Sequence, residues 1–148
     1  MDLREALLTL HILFAIVVIG WLAMTSMLLP RAIRDGNTGA VRFAAAAGEK
    51  LGPASIVVFL LGLVLVLRQK DDYAEFEHMW ISLSMLLFIA AVVIGSVFIG
   101  KAEKSALAKL ESGQAAPEEA SRIAMLGGIN NLILLAIVFL MVAKPGIG

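Results

Sequence analysis

Few side chains in this sequence are suited to chemistry, and two of them are histidines. His11 falls inside a long apolar stretch, and His78 stands two residues before another. An ionisable group placed in hydrocarbon is costly and marks a functional position by default. An imidazole can hold haem iron or copper, and it exchanges protons near neutral pH. The two histidines fall on the same predicted side of a membrane, so one haem iron or metal could draw on both. Each also has a plainer reading. His11 can bond a hydroxyl or carbonyl of a neighbouring helix. His78, after Glu75 and Glu77 and before Trp80, suits the interfacial belt where polar tips meet water.

Asn130 and Asn131 are the other polar pair. Asn is expensive in hydrocarbon unless partnered, so at least one is expected to face inward and bond another helix as structural glue. Gly127, Gly128 and Ala124 before them, and Ala91/Gly95 and Ser96/Gly100 upstream, are small residues at the spacing that lets helices approach. Seven Met residues, Met24 and Met27 among them, would suit copper as thioethers, but they are dispersed and read as gap-fillers. Ser82 and Ser84 read as bonding their own backbone rather than as nucleophiles.

Composition excludes more than it offers. There is no cysteine, which removes thiolate nucleophiles, iron–sulfur clusters and Cys-type zinc sites together. Twelve basic residues balance twelve acidic ones. With no net field, basic cluster or Gly-rich phosphate loop, nucleic acid is not an expected partner. No apolar stretch holds an Asp or Glu, so the usual coupling residue of a transporter is missing.

The elements that must position these residues are set by hydropathy. The chain has 148 residues, 60% hydrophobic and 16% charged, with a mean hydropathy of +0.93. A soluble domain carries about 25% charged residues. A bilayer span needs about 20 mostly apolar residues, and four stretches qualify: 6–29, 51–67, 80–100 and 123–143. None contains Asp, Glu, Lys or Arg. The first, led by an acidic segment and lacking a clear small-x-small cleavage site, reads as a membrane helix rather than a signal peptide. The expected fold is all-α: a polytopic, antiparallel four-helix transmembrane bundle forming one domain over 1–148.

The connections are expected to be partly helical. Asp35–Gly39 reads as a turn, Lys101–Glu111 as an extension of the third helix, Ser112-Gly113 as its stop, and Pro117-Glu118-Glu119 as the start of the fourth. Pro53 marks either a helix start or, if Ala40–Lys50 is helical too, a kink. Asp71 or Asp72 could cap the third helix. Arg31, Arg34, Arg42, Lys50, Lys101, Lys104, Lys109 and Arg122 lie on one side, against Arg4, Arg68, Lys70 and Lys144 on the other. That bias places loops 30–50 and 101–122 in the cytoplasm and both termini outside the cell inner or plasma membrane.

In order and position, these residues resemble a family group. Leu10-His11-Ile12 and Leu29-Pro30-Arg31 resemble the first helix of the bacterial membrane-bound protoporphyrinogen oxidase of the HemJ type. Gly52-Pro53-Ala54 and Val142-Ala143-Lys144-Pro145 are similar to that family's second-helix and terminal motifs. The outline is shared with the copper-resistance D membrane domain and with an uncharacterised family of predicted four-helix integral membrane proteins. The resemblance implies a haem-ligating His11 and singles out Lys144; should haem bind, the predicted side of Lys144 would let it meet a propionate at the interface. The residues after Pro30-Arg31 lack the oxidase's further histidine, and Phe88–Gly100 lacks its Tyr-His pair, so the uncharacterised branch is the closer match.

Two functions of different class are therefore expected: a redox-linked membrane protein holding haem, or copper, through His11, and a non-catalytic subunit of a larger membrane complex. The partners are the lipid bilayer and either further copies or other membrane subunits. The first expectation puts His11 beside a cavity. The second puts it in contact with a neighbouring helix inside a filled bundle.

Overall fold

The computed structural model describes residues 1–68 and 79–144. In lipid, long apolar segments must satisfy their own backbone, and helices do so. Helix α1 (Leu3–Arg34) opens with a reciprocal cap. The Asp2 carboxylate accepts from the Glu5 N–H at 2.8 Å, and Glu5 accepts from the Asp2 N–H at 3.0 Å. It ends in a turn where Gly36 takes φ +68°, a conformation in which a side chain would be strained. Asn37 Oδ1 then accepts from the Ala40 N–H at 3.1 Å and starts α2 (Thr38–Arg68).

Helix α2 runs on through Pro53, so the helix-start reading of that proline gives way to the interior one. With no N–H, Pro53 leaves the carbonyl four residues back, that of Glu49, without its helical donor. Helix α3 (Met79–Val93) continues through a π-helical turn (Ile94–Ile99) into α4 (Gly100–Glu111), an unbroken rod of 33 residues. At 1.5 Å per residue, such a rod is longer than the bilayer core of roughly 30 Å, and the charged α4 projects beyond it. Ser112 and Gly113 (φ +78°) stop it as expected. Helix α5 (Pro117–Ala143) begins with Pro at its first turn and Glu118 and Glu119 behind it, where acids favour the helix dipole. Among the described residues there is no strand. The expected cap at Asp71 or Asp72 lies outside the described residues.

All four apolar stretches lie within these helices, the third extended over Lys101–Glu111 and the fourth opened at Pro117 as expected, and the chain forms an all-α polytopic bundle. Only 11–33% of each apolar stretch is buried within the protein, so most of its apolar surface is left for lipid. Helix α1 is the hub, packed along both α2 and α5, while α5 also carries α3. Helices α2 and α3 touch little. One apolar cluster near the loops joins Leu29, Ile33, Val41, Ile99, Ala106 and Ile123. A second, toward the opposite end, joins Val18, Val58, Phe88, Ala91, Leu134 and Ile137.

Between the two clusters lies a polar and small-residue layer. A methyl on Gly127 of α5 would stand 2.4 Å from Ser26 Cβ and 3.2 Å from both Ser26 Cα and its carbonyl oxygen. Pro30, four residues on, cannot donate to that carbonyl. Ser26 Oγ donates to Ala23 O at 2.9 Å and is 3.1 Å from Asn131 Oδ1. Gly127→Ala is therefore expected to force backbone apart and to cost about 1–3 kcal/mol of stability, typical of overpacking. Gly128→Ala, at a position with open space around it, is expected to be neutral. Unfolding of both variants in mild detergent, followed by far-ultraviolet circular dichroism, checks this.

Candidate functional site

The residues singled out in the sequence fall at separate places. His11 sits on α1 and its Nδ1 lies 3.0 Å from the Val58 carbonyl of α2. A carbonyl can only accept, so Nδ1 carries the proton and the lone pair of the neutral ring is on Nε2. One turn further along α2, the absence of a side chain at Gly62 makes room for the ring. A methyl there would be 3.0 Å from His11 Cε1. His11 thus spans two helices. Lys144, in the left-handed conformation after α5, places Nζ 5.8 Å from the centroid of the Trp80 ring, a cation–π contact. His78 lies outside the described residues.

Asn131 reaches Ser26 across the α1–α5 crossing. Asn130 is 1% exposed, with its Nδ2 3.7 Å from where a Gly95 side chain would begin and no hydrogen-bond partner on its Oδ1 among the described residues. Ser84 Oγ donates to its own helix at Trp80 O, 2.6 Å away. Among the described residues no group of three His, Cys, Asp or Glu could together hold a metal ion.

A cavity of about 280 Å³ lies elsewhere, in the space that the weak α2–α3 contact leaves open. Val18, Trp21, Leu22, Thr25 and Ser26 of α1 form one wall, and Ala45 to Ser55 of α2 another. Gly95, Ser96 and Ile99 of the π-helical turn, with Glu103 and Lys104 of α4, close the third. Neither His11 nor Lys144 lines it. Its chemistry centres on Glu103, which the sequence presents only as part of a charged extension. Glu103 is 8% exposed, and its Oε1 has no hydrogen-bond partner among the described residues. Burial pushes its carboxyl up to about 7, against a smaller opposing pull from Lys104. A signal was present: Glu103 stands three residues before Ala106 and four before Leu107, on the face that those residues turn inward.

Glu119 shows what a paired carboxylate looks like in the same region. It is also buried, but Lys109 Nζ lies 2.6 Å from Oε1 and Ser105 Oγ donates to it at 3.0 Å. The Lys109 bond holds it below the usual carboxylate range. Glu119 is a tie between α4 and α5, whereas Glu103 has no ion pair among the described residues.

The raised carboxyl pKa of Glu103 has a consequence for stability. Between its ordinary 4.5 and about 7, the folded protein holds a proton that the unfolded chain has released. This contribution is complete below the unfolded value and is lost as pH rises through about 7. The melting temperature of wild type is expected to fall between pH 5 and 8. That of Glu103→Gln should fall less and lie a few degrees above wild type at pH 8, as a pH series of thermal melts will show.

A family model described as a predicted integral membrane protein (DUF2269) covers residues 5–145. No curated protein and no solved structure matches the chain. The matched segment includes all four apolar stretches and every wall of the cavity. The chain belongs to the DUF2269 family of integral membrane proteins.

Proposed function

We propose that this integral membrane protein is a binding protein whose ligand occupies the cavity between α1, α2 and the α3–α4 rod. One observation carries the reading: Glu103 is buried at the cavity wall with Oε1 unpartnered among the described residues. Buried polar groups in native proteins are partnered as a rule. An exception lining an open space is accounted for by a partner that arrives from outside. The perturbed carboxyl in the same cleft points the same way. The excess of basic residues at the loop end favours the cytoplasmic face of the cell membrane for that end and for the cleft, with both termini outside.

The absence of cysteine makes the test direct. A single thiol at Ser96→Cys, in the cleft, is compared with one at Leu132→Cys, 68% exposed on the apolar surface. In native membranes a small water-soluble methanethiosulfonate is expected to modify the first much faster than the second. Equal, slow rates would mean that the cleft is dry. The chain would then be read as an architectural subunit that packs with further copies or with other membrane proteins.

The redox alternative rests on the His11 bond, because an imidazole whose Nδ1 donates to a carbonyl is oriented to ligate through Nε2. The resemblance of Leu10-His11-Ile12 to the oxidase first helix supports haem there, with copper as the lesser choice. The surroundings do not fit a porphyrin. Ligated at Nε2, it would spread across the Cε1 edge of the ring, where the α2 backbone at Gly62 already lies. Lys144, the expected propionate partner, is engaged with Trp80. Absorption spectra of wild type and His11→Ala from haem-replete cells, with copper analysis, are expected to show no Soret band in either protein. A Soret band lost in the variant would instate the redox role instead.

A further inference from the structure

We propose that the ligand of this cleft is a small organic cation, a protonated amine, with Glu103 as its counter-ion and Trp21 as the aromatic face beside it. The inference rests on the binding reading above and adds the chemical class of the ligand. It follows from which hydrogen-bonding groups the walls offer. Thr25 Oγ1 donates to Trp21 O at 2.6 Å, and Ser55 Oγ donates to Gly52 O at 2.6 Å. Ser26 Oγ spends its proton on Ala23 O or on Asn131 Oδ1, at 2.9 and 3.1 Å. Three of the four lining hydroxyls thus spend their hydrogen within the protein and keep lone pairs for the cleft, while the exposed Ser96 hydroxyl can donate or accept there. Glu49 lines the same wall, and Pro53 leaves its carbonyl without a helical donor.

Donors in the wall are the Trp21 indole N–H, the Ser96 hydroxyl and Lys104; the other polar groups offer acceptors, which suit a ligand that brings N–H groups or positive charge. Three charged side chains line the cavity, Glu49 of α2 and Glu103 and Lys104 of α4, so acids outnumber bases there. The lining residues of α1 and of the π-helical turn contribute no titratable group, and α5 contributes no wall residue. Trp21 lines the cleft, its ring inclined at 68° to that of Phe43 with centroids 6.4 Å apart. A carboxylate, an indole and a ring of lone pairs are together the chemistry that recognises ammonium groups. A cavity of about 280 Å³ admits an amine of modest size.

Binding of this kind is tied to the proton on Glu103. An ammonium is held by the carboxylate form, so its arrival displaces a proton wherever the carboxyl is still protonated. Affinity is expected to rise with pH through about 7 and to level off above it.

Trp21 supplies the readout, since the only other tryptophan is Trp80. In a Trp80→Phe background, the detergent-purified full chain is titrated with benzylamine, benzyl alcohol and benzoate at pH 8 and pH 5.5, following Trp21 emission. Saturable quenching by benzylamine alone is expected at pH 8, tenfold or more weaker at pH 5.5. It should be tenfold or more weaker in Glu103→Gln and partly restored in Glu103→Asp, with circular dichroism confirming that each variant folds. Benzyl alcohol titrating as well as benzylamine, or an unchanged affinity in Glu103→Gln, would overturn the cation assignment and leave the binding reading standing. So would the lack of any saturable benzylamine signal in a protein whose Ser96→Cys thiol reacts readily. A thiol at that position no more reactive than the one facing lipid would overturn both.

Discussion

The contact on which this bundle depends is the one between Ser26 and Gly127, where α1 and α5 meet without a side chain between them. Lipid gives apolar helices little reason to prefer one another, so close backbone approach and a few buried polar bonds decide how they associate. Here both are concentrated at one level. The α5 glycine admits the α1 backbone, and one turn along, Asn131 finds the Ser26 hydroxyl. Asn130 comes to rest against Gly95 of the π-helical turn, which fixes where the third apolar helix sits. The apolar clusters above and below this layer fill in around a register already chosen.

The cleft is a by-product of the same arrangement. Helix α1 holds α2 on one side and α5 on the other, and α3 is held by α5. Helices α2 and α3 are therefore both anchored elsewhere and touch little. At the loop end the gap is bridged by the exposed Arg42–Glu111 pair at 2.9 Å, an interaction of a kind that contributes little stability. Toward the other end it is filled by aromatic contact, with Phe59 of α2 and Phe88 of α3 stacked at 6.3 Å. What stays open is the middle, beside Ser55, Gly95 and Ser96.

Much of the fold was legible in the sequence because its strongest signal is one-dimensional. Four uncharged apolar runs need no tertiary knowledge to be read as helices, and Ser112-Gly113 and Pro117 mark their boundaries by local chemistry alone. Pro53 was ambiguous because the same residue starts some helices and interrupts others. The helix-forming run Ala44–Ala47 upstream carries α2 into it and makes the position an interior one. The π-helical turn has no spelling of its own in Ile94–Ile99 and could not be read. The site was harder. His11 and Asn131 were visible as polar residues in apolar runs, but their partners, Val58 and Ser26, depend on which helices touch and in what register. Glu103 was missed because it follows an apolar run instead of interrupting one, so a search for charges inside spans passes it by.

The π-helical turn also sets the angular phase of everything that follows it. Its Gly100 N–H reaches back five residues, to the Gly95 carbonyl, where an α-helix would reach four. One residue corresponds to about 100° of rotation in an α-helix. A chain shortened by one residue within this turn, and relaxed to ordinary helix, would present α4 rotated by about that angle. Ala102 and Ala106 would then leave the loop-end apolar cluster, and the carboxylate would turn away from the cleft. The turn works as a clutch in the rod: it lets the lipid-embedded half pack on α5 while the projecting half turns its own face toward α2 and α5.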